Sequence, residues 1–272
     1  MDKTDGLRKI LAELKTAVLA YSGGVDSVFL AAVAGEVLKD DLLAVTADSP
    51  TYPPEELRFA RKMSGQLRLK HLVIKADGFK DKRFYSNSPE RCYYCKRGLF
   101  AELRRLADAR GIKYVIDAAN ISDKSDYRPG NRAKKEFSVR SPLQEAGFDK
   151  EDIRRASKKM GLSTWNKPAM ACLASRIPYG TPLRAKLLAR INKAEQFLSG
   201  LGLPGTRVRH YGNLCRVETD IEYFPLFLRK REKIVSALKR SGYSHITLDL
   251  QGYRQGSLNL DVAFARPSIA RR

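Results

Sequence analysis

Residues 16–38 consist of a short apolar stretch, a glycine turn and a helical stretch, one directly after the other. The apolar stretch TAVLAY (16–21) predicts a buried strand, and VFLAAVAGEVL (28–38) has the composition of a helix. Apolar stretches at 42–48, 71–77 and 113–120 predict three more strands, each separated from the next by a helical segment. Strands that alternate with helices predict an α/β fold with a doubly wound parallel sheet.

The rest of the chain predicts smaller elements and a second domain. Residues 137–143 are the candidate for a fifth strand, and Asp149 is placed to cap a helix. We expect a mobile loop at 121–136 and a long, irregular, functional connection at 163–180. A small α+β domain is predicted from a helix beginning at Thr181-Pro182, a hairpin at 206–218, a helix at 222–241 and a strand at 245–250. We therefore expect domains at 1–180 and 181–272.

The charge of the chain is unevenly distributed. Residues 1–78 hold 11 basic and 11 acidic residues, so the formal net charge of +21 lies wholly in residues 79–272. Such an excess is typical of a protein that attracts nucleotides, phosphorylated metabolites or RNA, and equally of a solvated surface. The amino-terminal residues have no apolar signal core and no apolar run reaches membrane-spanning length, so we expect a cytoplasmic protein without a membrane partner.

The glycine turn has the features of a phosphate-binding site. Gly23 and Gly24 let the backbone approach an anion, the helix start supplies N–H donors, and Ser22 and Ser27 add hydroxyl groups. The turn lacks the lysine of a Walker A loop and the spacing of a Rossmann loop. Asp26 would repel phosphate unless a cation such as Mg²⁺ lay between them. The alternative is a structural turn with a capping aspartate.

All six residues of this turn, Ser22 to Ser27, resemble the pyrophosphate-binding loop of the PP-loop ATP pyrophosphatases. The resemblance implies that ATP is cleaved between its α and β phosphates. A carbonyl or carboxyl oxygen is adenylated, and a nucleophile then displaces AMP. It leaves open whether that nucleophile is ammonia, an amine or sulfur.

The four cysteines, Cys92, Cys95, Cys172 and Cys215, are more typical of metal binding or catalysis than of disulfides in a cytoplasmic chain. Cys92 and Cys95 form a CxxC at the start of a predicted helix, a pattern that also occurs in redox pairs, in half zinc sites and by chance. Together with Cys172 they could ligate three irons of a 4Fe–4S cluster. Zinc would need a fourth ligand, for which Cys215 or His210 is available, although the strand pattern favours a core position for Cys215.

Several longer motifs are similar to those of the LarE family, the ATP-dependent sulfur transferases that build the nickel-pincer nucleotide cofactor of lactate racemase. The matching stretches are PERCYYCK (89–96), DYRPGNRAKKE (126–136), VRSPLQEAG (139–147), TWNKPAMACLASRIPYG (164–180), RVRHYG (207–212) and GYRQGSLN (252–259). The resemblance covers nearly the whole chain.

This resemblance implies a substrate and a source of sulfur. The substrate would be a pyridinium dicarboxylate mononucleotide whose carboxylate is adenylated and converted to a thiocarboxylate. In one version of the family, the cysteine at the position of Cys172 is the sacrificial sulfur donor. In the other, it joins a CxxC to hold a 4Fe–4S cluster whose extra sulfide is the donor. The presence of Cys92 and Cys95 beside Cys172 resembles the cluster version.

The resemblance also implies a substrate site that contains Glu195, Arg207 and Arg209. Arg207 and Arg209 alternate along a predicted strand, a spacing that suits a phosphate clamp or a solvated strand face. Asp126, Arg128 and Arg132 lie in the expected mobile loop and could close over ATP, or have no role. Trp165 is expected to be a core anchor, and His71 is assigned no role.

Family members form oligomers, which implies a homo-oligomer here. The nearest rival is a PP-loop tRNA thiolase, which the charge favours, although no RNA-binding module is evident and Val25 stands where such thiolases carry lysine. An amide-forming PP-loop ligase would leave the cysteines unexplained. A basic RNA-binding protein without enzymatic activity would leave the phosphate loop unexplained.

Overall fold

A computed structural model of the protein describes residues 2–76, 81–125, 130–168 and 171–254. Within these ranges, no helix is both long enough and apolar enough to cross a bilayer. The chain forms two compact units. The first contains residues 1–84 and 90–170, and the second contains residues 85–89 and 171–272.

The first unit is built on a parallel sheet with the strand order β3-β2-β1-β4. Its strands are β1 (Ala17–Ala20), β2 (Leu42–Asp48), β3 (Lys70–Lys75) and β4 (Tyr114–Ile116). The chain runs outward from β1 to β3 and then returns to the other side of β1 to form β4. In open α/β sheets, ligands bind at such a reversal, outside the carboxyl ends of the strands.

Helices cover both faces of this sheet, which confirms the doubly wound α/β fold. The helices formed by residues 2–168 are α1 (Lys3–Leu14), α2 (Val25–Leu38), α3 (Pro54–Gln66), α4 (Lys82–Tyr85), α5 (Arg91–Asp108), α6 (Gly130–Glu136), α7 (Pro142–Glu145) and α8 (Lys150–Lys159). Successive residues of a strand point to opposite faces. Accordingly, Ala17 and Leu19 join the core formed with α1 and α2, whereas Val18 joins the core formed with α5.

Two predictions about the first unit are wrong and one is confirmed. Residues 137–143 do not form a strand. Only Arg140 bridges to Ile116, because Pro142 begins α7 two residues later. Residues 130–136 of the expected mobile loop are helical. Asp149 does cap α8, in a capping box in which Asp149 and Asp152 satisfy each other's backbone N–H groups.

Trp165, the expected core anchor, is 37% exposed. It lies in the turn after α8, where its carbonyl oxygen accepts a hydrogen bond from Arg154 Nη1 at 2.7 Å. The ammonium of Lys158 lies 4.7 Å from the centre of the indole ring. The indole therefore covers the side chain of a helix residue at the surface.

The second unit contains a sheet of three strands in the order β5-β6-β7. The strands are β5 (Arg207–Tyr211), β6 (Leu214–Glu218) and β7 (His245–Leu248). β5 and β6 form the predicted antiparallel hairpin, and β7 pairs with β6 in parallel. The helices are α9 (Ala185–Gly200), α10 (Phe224–Arg229) and α11 (Arg231–Arg240), so the single helix predicted at 222–241 is interrupted at Lys230.

Asn87 joins two separate segments of the second unit. It is fully buried, and its Nδ2 donates to the carbonyl oxygens of Pro178 at 2.8 Å and Thr181 at 3.0 Å. Its own carbonyl oxygen accepts from the N–H of Gly180 at 3.1 Å. The N–H of Leu183 donates to the carbonyl of Tyr85 at 2.9 Å, and α9 starts at Ala185, after the extended residue Arg184, and not at the predicted Thr181.

Candidate active site

The glycine turn follows β1 at the sheet reversal, and Gly23 has two reasons to be glycine. Its φ of +73° lies in the left-handed region, which side chains disfavour. A Cβ at this position would lie 2.9 Å from both Cα and Cβ of Ala60 on α3. The turn therefore packs directly against α3.

The two serine hydroxyls hold the turn together. Ser27 Oγ donates to the carbonyl of Gly24 at 3.1 Å and accepts from the N–H of Ser22 at 3.3 Å. Its hydroxyl proton is thereby used, so Ser22 Oγ, 3.1 Å away, must be the donor between the two hydroxyls. Ser22 Oγ in turn accepts from the N–H of Gly24 at 3.3 Å.

The donors left for an anion are backbone groups at the start of α2. Gly24 precedes the helix without a side-chain cap, and the first internal bond runs from Val28 N–H to the Gly24 carbonyl at 2.9 Å. The N–H groups of Val25, Asp26 and Ser27 consequently have no partner within the helix. A helix start of this kind binds phosphate through these groups and the helix dipole.

Asp26, in the first turn of α2, is paired with Lys150 at the start of α8. Lys150 Nζ lies 2.6 Å from Oδ1 and 2.7 Å from Oδ2 of Asp26, so it contacts both carboxylate oxygens. Asn120 Nδ2 approaches Oδ2 at 3.4 Å. Sequence reasoning missed Lys150 and Asn120, since nothing in the local pattern relates either to Asp26.

The segment after β4 carries Asn120 and is held by a buried polar network. Asp117, which is 6% exposed, accepts from Ser141 Oγ at 2.7 Å and from the N–H of Ala119 at 3.2 Å. Lys134 Nζ lies 3.4 Å from the same carboxylate. This buried network fixes the backbone that carries Asn120 towards Asp26.

His71, to which no role was assigned, supports the turn from below. Thr46 Oγ1 donates to the carbonyl of Tyr21, the residue before the turn, at 2.9 Å. His71 Nε2 lies 2.7 Å from Thr46 Oγ1, and Nδ1 lies 3.0 Å from Ser64 Oγ. Burial, followed by the charge of Arg61, lowers the pKa of His71 below its ordinary value of 6.5.

The CxxC lies in the first turns of α5, as predicted, with Cys92 exposed and Cys95 partly buried. The intervening Tyr93 is held by α6. The guanidinium of Arg132 lies 3.7 Å from the centre of the Tyr93 ring, and the Tyr93 hydroxyl donates to Glu136 at 2.7 Å. Arg132 also pairs with Glu90 at 2.7 Å. Arg132 therefore supports the CxxC turn, and Asp126 and Arg128 lie outside the described residues.

In the second unit, Cys172 precedes a short 3₁₀ turn at Leu173–Arg176. Its carbonyl oxygen accepts from Ser175 Oγ at 2.7 Å and from Arg176 Nη1 at 3.3 Å. The side chain is partly buried. Neighbouring groups thus hold the backbone of this cysteine in place.

Glu195 forms a two-bond ion pair with Arg176, with both N···O distances at 3.0 Å. Its Oε1 also accepts from the N–H of Val208 on β5 at 2.9 Å. The carboxylate thus joins α9, the Cys172 turn and β5. Sequence reasoning missed Arg176, although it lies in the same motif as Cys172.

Arg207 and Arg209 lie in very different environments. Arg209 is 5% exposed, pairs with the fully buried Glu218 at 2.6 Å and donates to the carbonyl of Ser175 at 3.0 Å. Arg207 forms no ion pair with a carboxylate of the described residues, and its buried Nε has no hydrogen-bond partner there. Burial, followed by the nearby charge of Arg176, lowers the pKa of Arg207. Arg207 is therefore the arginine that can accept an anion.

Within the described ranges, no group of three or more histidine, cysteine or acidic residues is arranged to hold a metal ion. None of the four cysteines, all of which lie in those ranges, forms a disulfide. Cys215 is fully buried opposite His210, and burial raises the pKa of its thiol to about 11. This environment favours the predicted core position of Cys215 over a zinc ligand.

Comparison with known proteins gives a family match and several relatives. Residues 16–87 match the family described as asparagine synthase. The chain is 40% identical over 259 residues to an uncharacterized protein of Synechocystis, with 94% of this chain and 97% of that protein covered. An uncharacterized protein of Methanocaldococcus jannaschii is 29% identical over 240 residues, with 88% of this chain and 91% of that protein covered.

A further relative has a named activity. The pyridinium-3,5-bisthiocarboxylic acid mononucleotide synthase of Lactiplantibacillus plantarum is 35% identical over 250 residues, with 92% of this chain and 91% of that protein covered. This similarity extends over nearly the full length of both chains. The chain therefore belongs to the LarE family.

Proposed function

We propose that the protein is an ATP-dependent sulfurtransferase that converts a carboxylate of a pyridinium dicarboxylate mononucleotide into a thiocarboxylate. One observation carries this proposal: the glycine turn at the sheet reversal, with Asp26 beside a helix start, in a chain that aligns over nearly its full length with a pyridinium bisthiocarboxylate synthase. The turn supplies the phosphate-binding groups, and the alignment supplies the substrate class.

The first step is adenylation. ATP pyrophosphate lies on the turn of Ser22, Gly23, Gly24 and Ser27, where the N–H groups at the start of α2 bind it. The Asp26 carboxylate offers oxygen ligands of the kind that Mg²⁺ prefers, and Mg²⁺ would neutralise phosphate charge there. Attack of the substrate carboxylate on the α-phosphate forms an acyl-adenylate and releases pyrophosphate. A poor electrophile thereby gains a good leaving group.

The second step is sulfur transfer. A sulfur nucleophile attacks the acyl carbon, and AMP leaves with the bonding electrons. Sulfide gives the thiocarboxylate directly. The Cys172 thiolate gives a thioester, from which loss of the α proton and cleavage of the Cβ–S bond release the thiocarboxylate and leave dehydroalanine. Thiolate and sulfide are nucleophilic at neutral pH, where an alcohol is not. The sulfur would come from Cys172, or, if Cys92, Cys95 and Cys172 held a 4Fe–4S cluster, that cluster would supply the sulfide. Cys92 and Cys95 are three residues apart at the start of α5, so both lie on one side of the helix. Their thiolates are soft ligands of the kind that Fe–S clusters require.

The substrate phosphate is bound by Arg207. Its half-buried guanidinium has no carboxylate partner among the described residues and has an unused donor. Arg209 and Glu195, which also belong to the proposed substrate site, act by holding β5 and the Cys172 turn in position. We further propose that the protein acts as a homo-oligomer.

The proposal is tested with anaerobically purified protein, ATP, Mg²⁺ and the pyridinium dicarboxylate mononucleotide. We expect AMP, pyrophosphate and a product whose mass reflects the exchange of oxygen for sulfur. The Asp26→Ala variant should release no AMP and should keep any iron that the wild type contains. Unchanged AMP release by this variant would remove Asp26 from the mechanism, and an unmodified substrate with the wild type would refute the function.

The charge of +21 favours a second candidate, a PP-loop tRNA thiolase. Phosphate contacts with tRNA would make binding fall steeply with salt concentration. Filter binding of bulk tRNA at several salt concentrations, beside binding of the mononucleotide, distinguishes the two. Tight, salt-dependent tRNA binding combined with no mononucleotide turnover would favour the thiolase.

A further inference from the structure

The contact between Lys150 and Asp26 occupies the carboxylate that the proposed adenylation needs. Both carboxylate oxygens lie within 2.7 Å of the ammonium. The side chains are 35% and 23% exposed, so the pair is partly shielded from water. A divalent cation and the ammonium cannot occupy the same two oxygens.

The backbone of Lys150 is fixed while its side chain is long. The residue begins α8 directly after the capping residue Asp149, and its N–H lies 3.3 Å from Ser122 Oγ. Four methylene groups then carry the ammonium to Asp26. Because these methylenes rotate freely, the ammonium can change partners without movement of the helix.

A bound triphosphate would supply an alternative partner. Phosphate on the N–H groups of Val25, Asp26 and Ser27 would lie beside the Asp26 carboxylate, since all belong to the first turn of α2. Two anions in such proximity require cations between them. Lys150 is the basic residue that forms an ion pair with Asp26 among the described residues.

We infer that Lys150 is an exchange residue of the nucleotide site. In the nucleotide-free protein it neutralises Asp26. When ATP and the divalent cation bind, it yields the carboxylate to the cation and moves to the phosphates. The inference rests on the proposed function, because it assumes that the glycine turn binds ATP. It predicts opposite effects of one substitution on cation binding and on nucleotide binding.

The Lys150→Met variant separates these two effects. Without the competing ammonium, Mn²⁺ alone should bind Asp26 about three- to fivefold more tightly, as follows from the modest strength of a partly exposed ion pair. The ATP analogue with a methylene group between its α and β phosphates should bind roughly tenfold more weakly, since a charge-assisted contact is lost. Electron paramagnetic resonance of Mn²⁺ and calorimetry of the analogue measure the two affinities.

Lys3→Met is the matched control, because Lys3 pairs with Asp152 of the same helix α8 at 2.5 Å. It should leave both affinities unchanged. Lys150→Arg preserves the charge and should leave Mn²⁺ binding no tighter than in the wild type, which also guards against a misfolded methionine variant. Equal Mn²⁺ affinity in wild type and Lys150→Met overturns the inference alone. A wild type that binds no analogue overturns the proposed function and the inference together.

Discussion

Gly23 is required both by its left-handed backbone conformation and by the close approach of Ala60, and the two contributions to stability can be measured separately. Gly23→Ala should destabilise the protein by about 1–2 kcal/mol for the left-handed φ, with a further cost for contact with Ala60. Chemical denaturation of Gly23→Ala, Ala60→Gly and the double variant gives the coupling between the two sites. In the double variant, we expect recovery of the stability lost to the clash with Ala60 but not of that lost to the left-handed φ. Zero coupling energy would contradict the close approach of residues 23 and 60.

Arg207 and Arg209 are expected to respond oppositely to substitution. Arg209→Met leaves the fully buried Glu218 without one of its arginine partners, Arg216 being the other, and should lower the free energy of unfolding by about 3–5 kcal/mol. Arg207→Met removes a guanidinium without a carboxylate partner in the described part of the chain. It should leave stability nearly unchanged and weaken binding of the substrate mononucleotide. Thermal denaturation and calorimetry measure both, and a severely unstable Arg207→Met would contradict the assignment.

Among the elements, β2, β3 and α3 meet at His71. Since the folded-state pKa of His71 is below its ordinary value of 6.5, the folded state binds fewer protons than the unfolded state between these values. The contribution of His71 to stability is therefore complete above pH 6.5 and is lost as pH falls through the folded pKa. Its imidazole resonances, assigned with His71→Gln, should titrate below the ordinary pKa of 6.5. A higher pKa for His71 would contradict the burial argument.

Local patterns predicted most elements because their causes are local. Short apolar stretches located the strands of the parallel sheet, and Asp149 marked the start of α8 through its own capping contact. The failures have causes that lie outside the segment concerned. Trp165 is a large apolar residue, yet it lies at the surface, where its indole ring contacts Lys158 of α8. α9 begins at Ala185, after a segment that is hydrogen-bonded to Tyr85 and Asn87, about a hundred residues earlier.

At the scale of the whole molecule, the sequence predicted the glycine turn of the candidate site but not the distant residues that pair with the site residues. The residues of the glycine turn are contiguous, so their chemistry is visible in the sequence. Lys150 lies 124 residues from Asp26, and Arg176 pairs with Glu195 across a helix and a turn. Such pairings depend on tertiary packing, which no local pattern of a single sequence records.

The cluster assignment is also a prediction for the whole molecule. Protein purified anaerobically should contain iron and acid-labile sulfide, and Cys92→Ala, Cys95→Ala and Cys172→Ala should each lose both. Cys215→Ala is the matched control and should retain them, because Cys215 is a core residue. Zinc in place of iron, or retention of iron in all three variants, would contradict the assignment.

The chain order of the two compact units limits how the protein can be dissected. Residues 85–89 belong with residues 171–272, and Asn87 satisfies carbonyl groups on both sides of Gly180. A gene divided after codon 170 would yield a carboxyl-terminal fragment whose backbone lacks these hydrogen bonds. Insertion of residues 85–89 ahead of residue 171 is therefore the minimum repair for any attempt to express that unit alone.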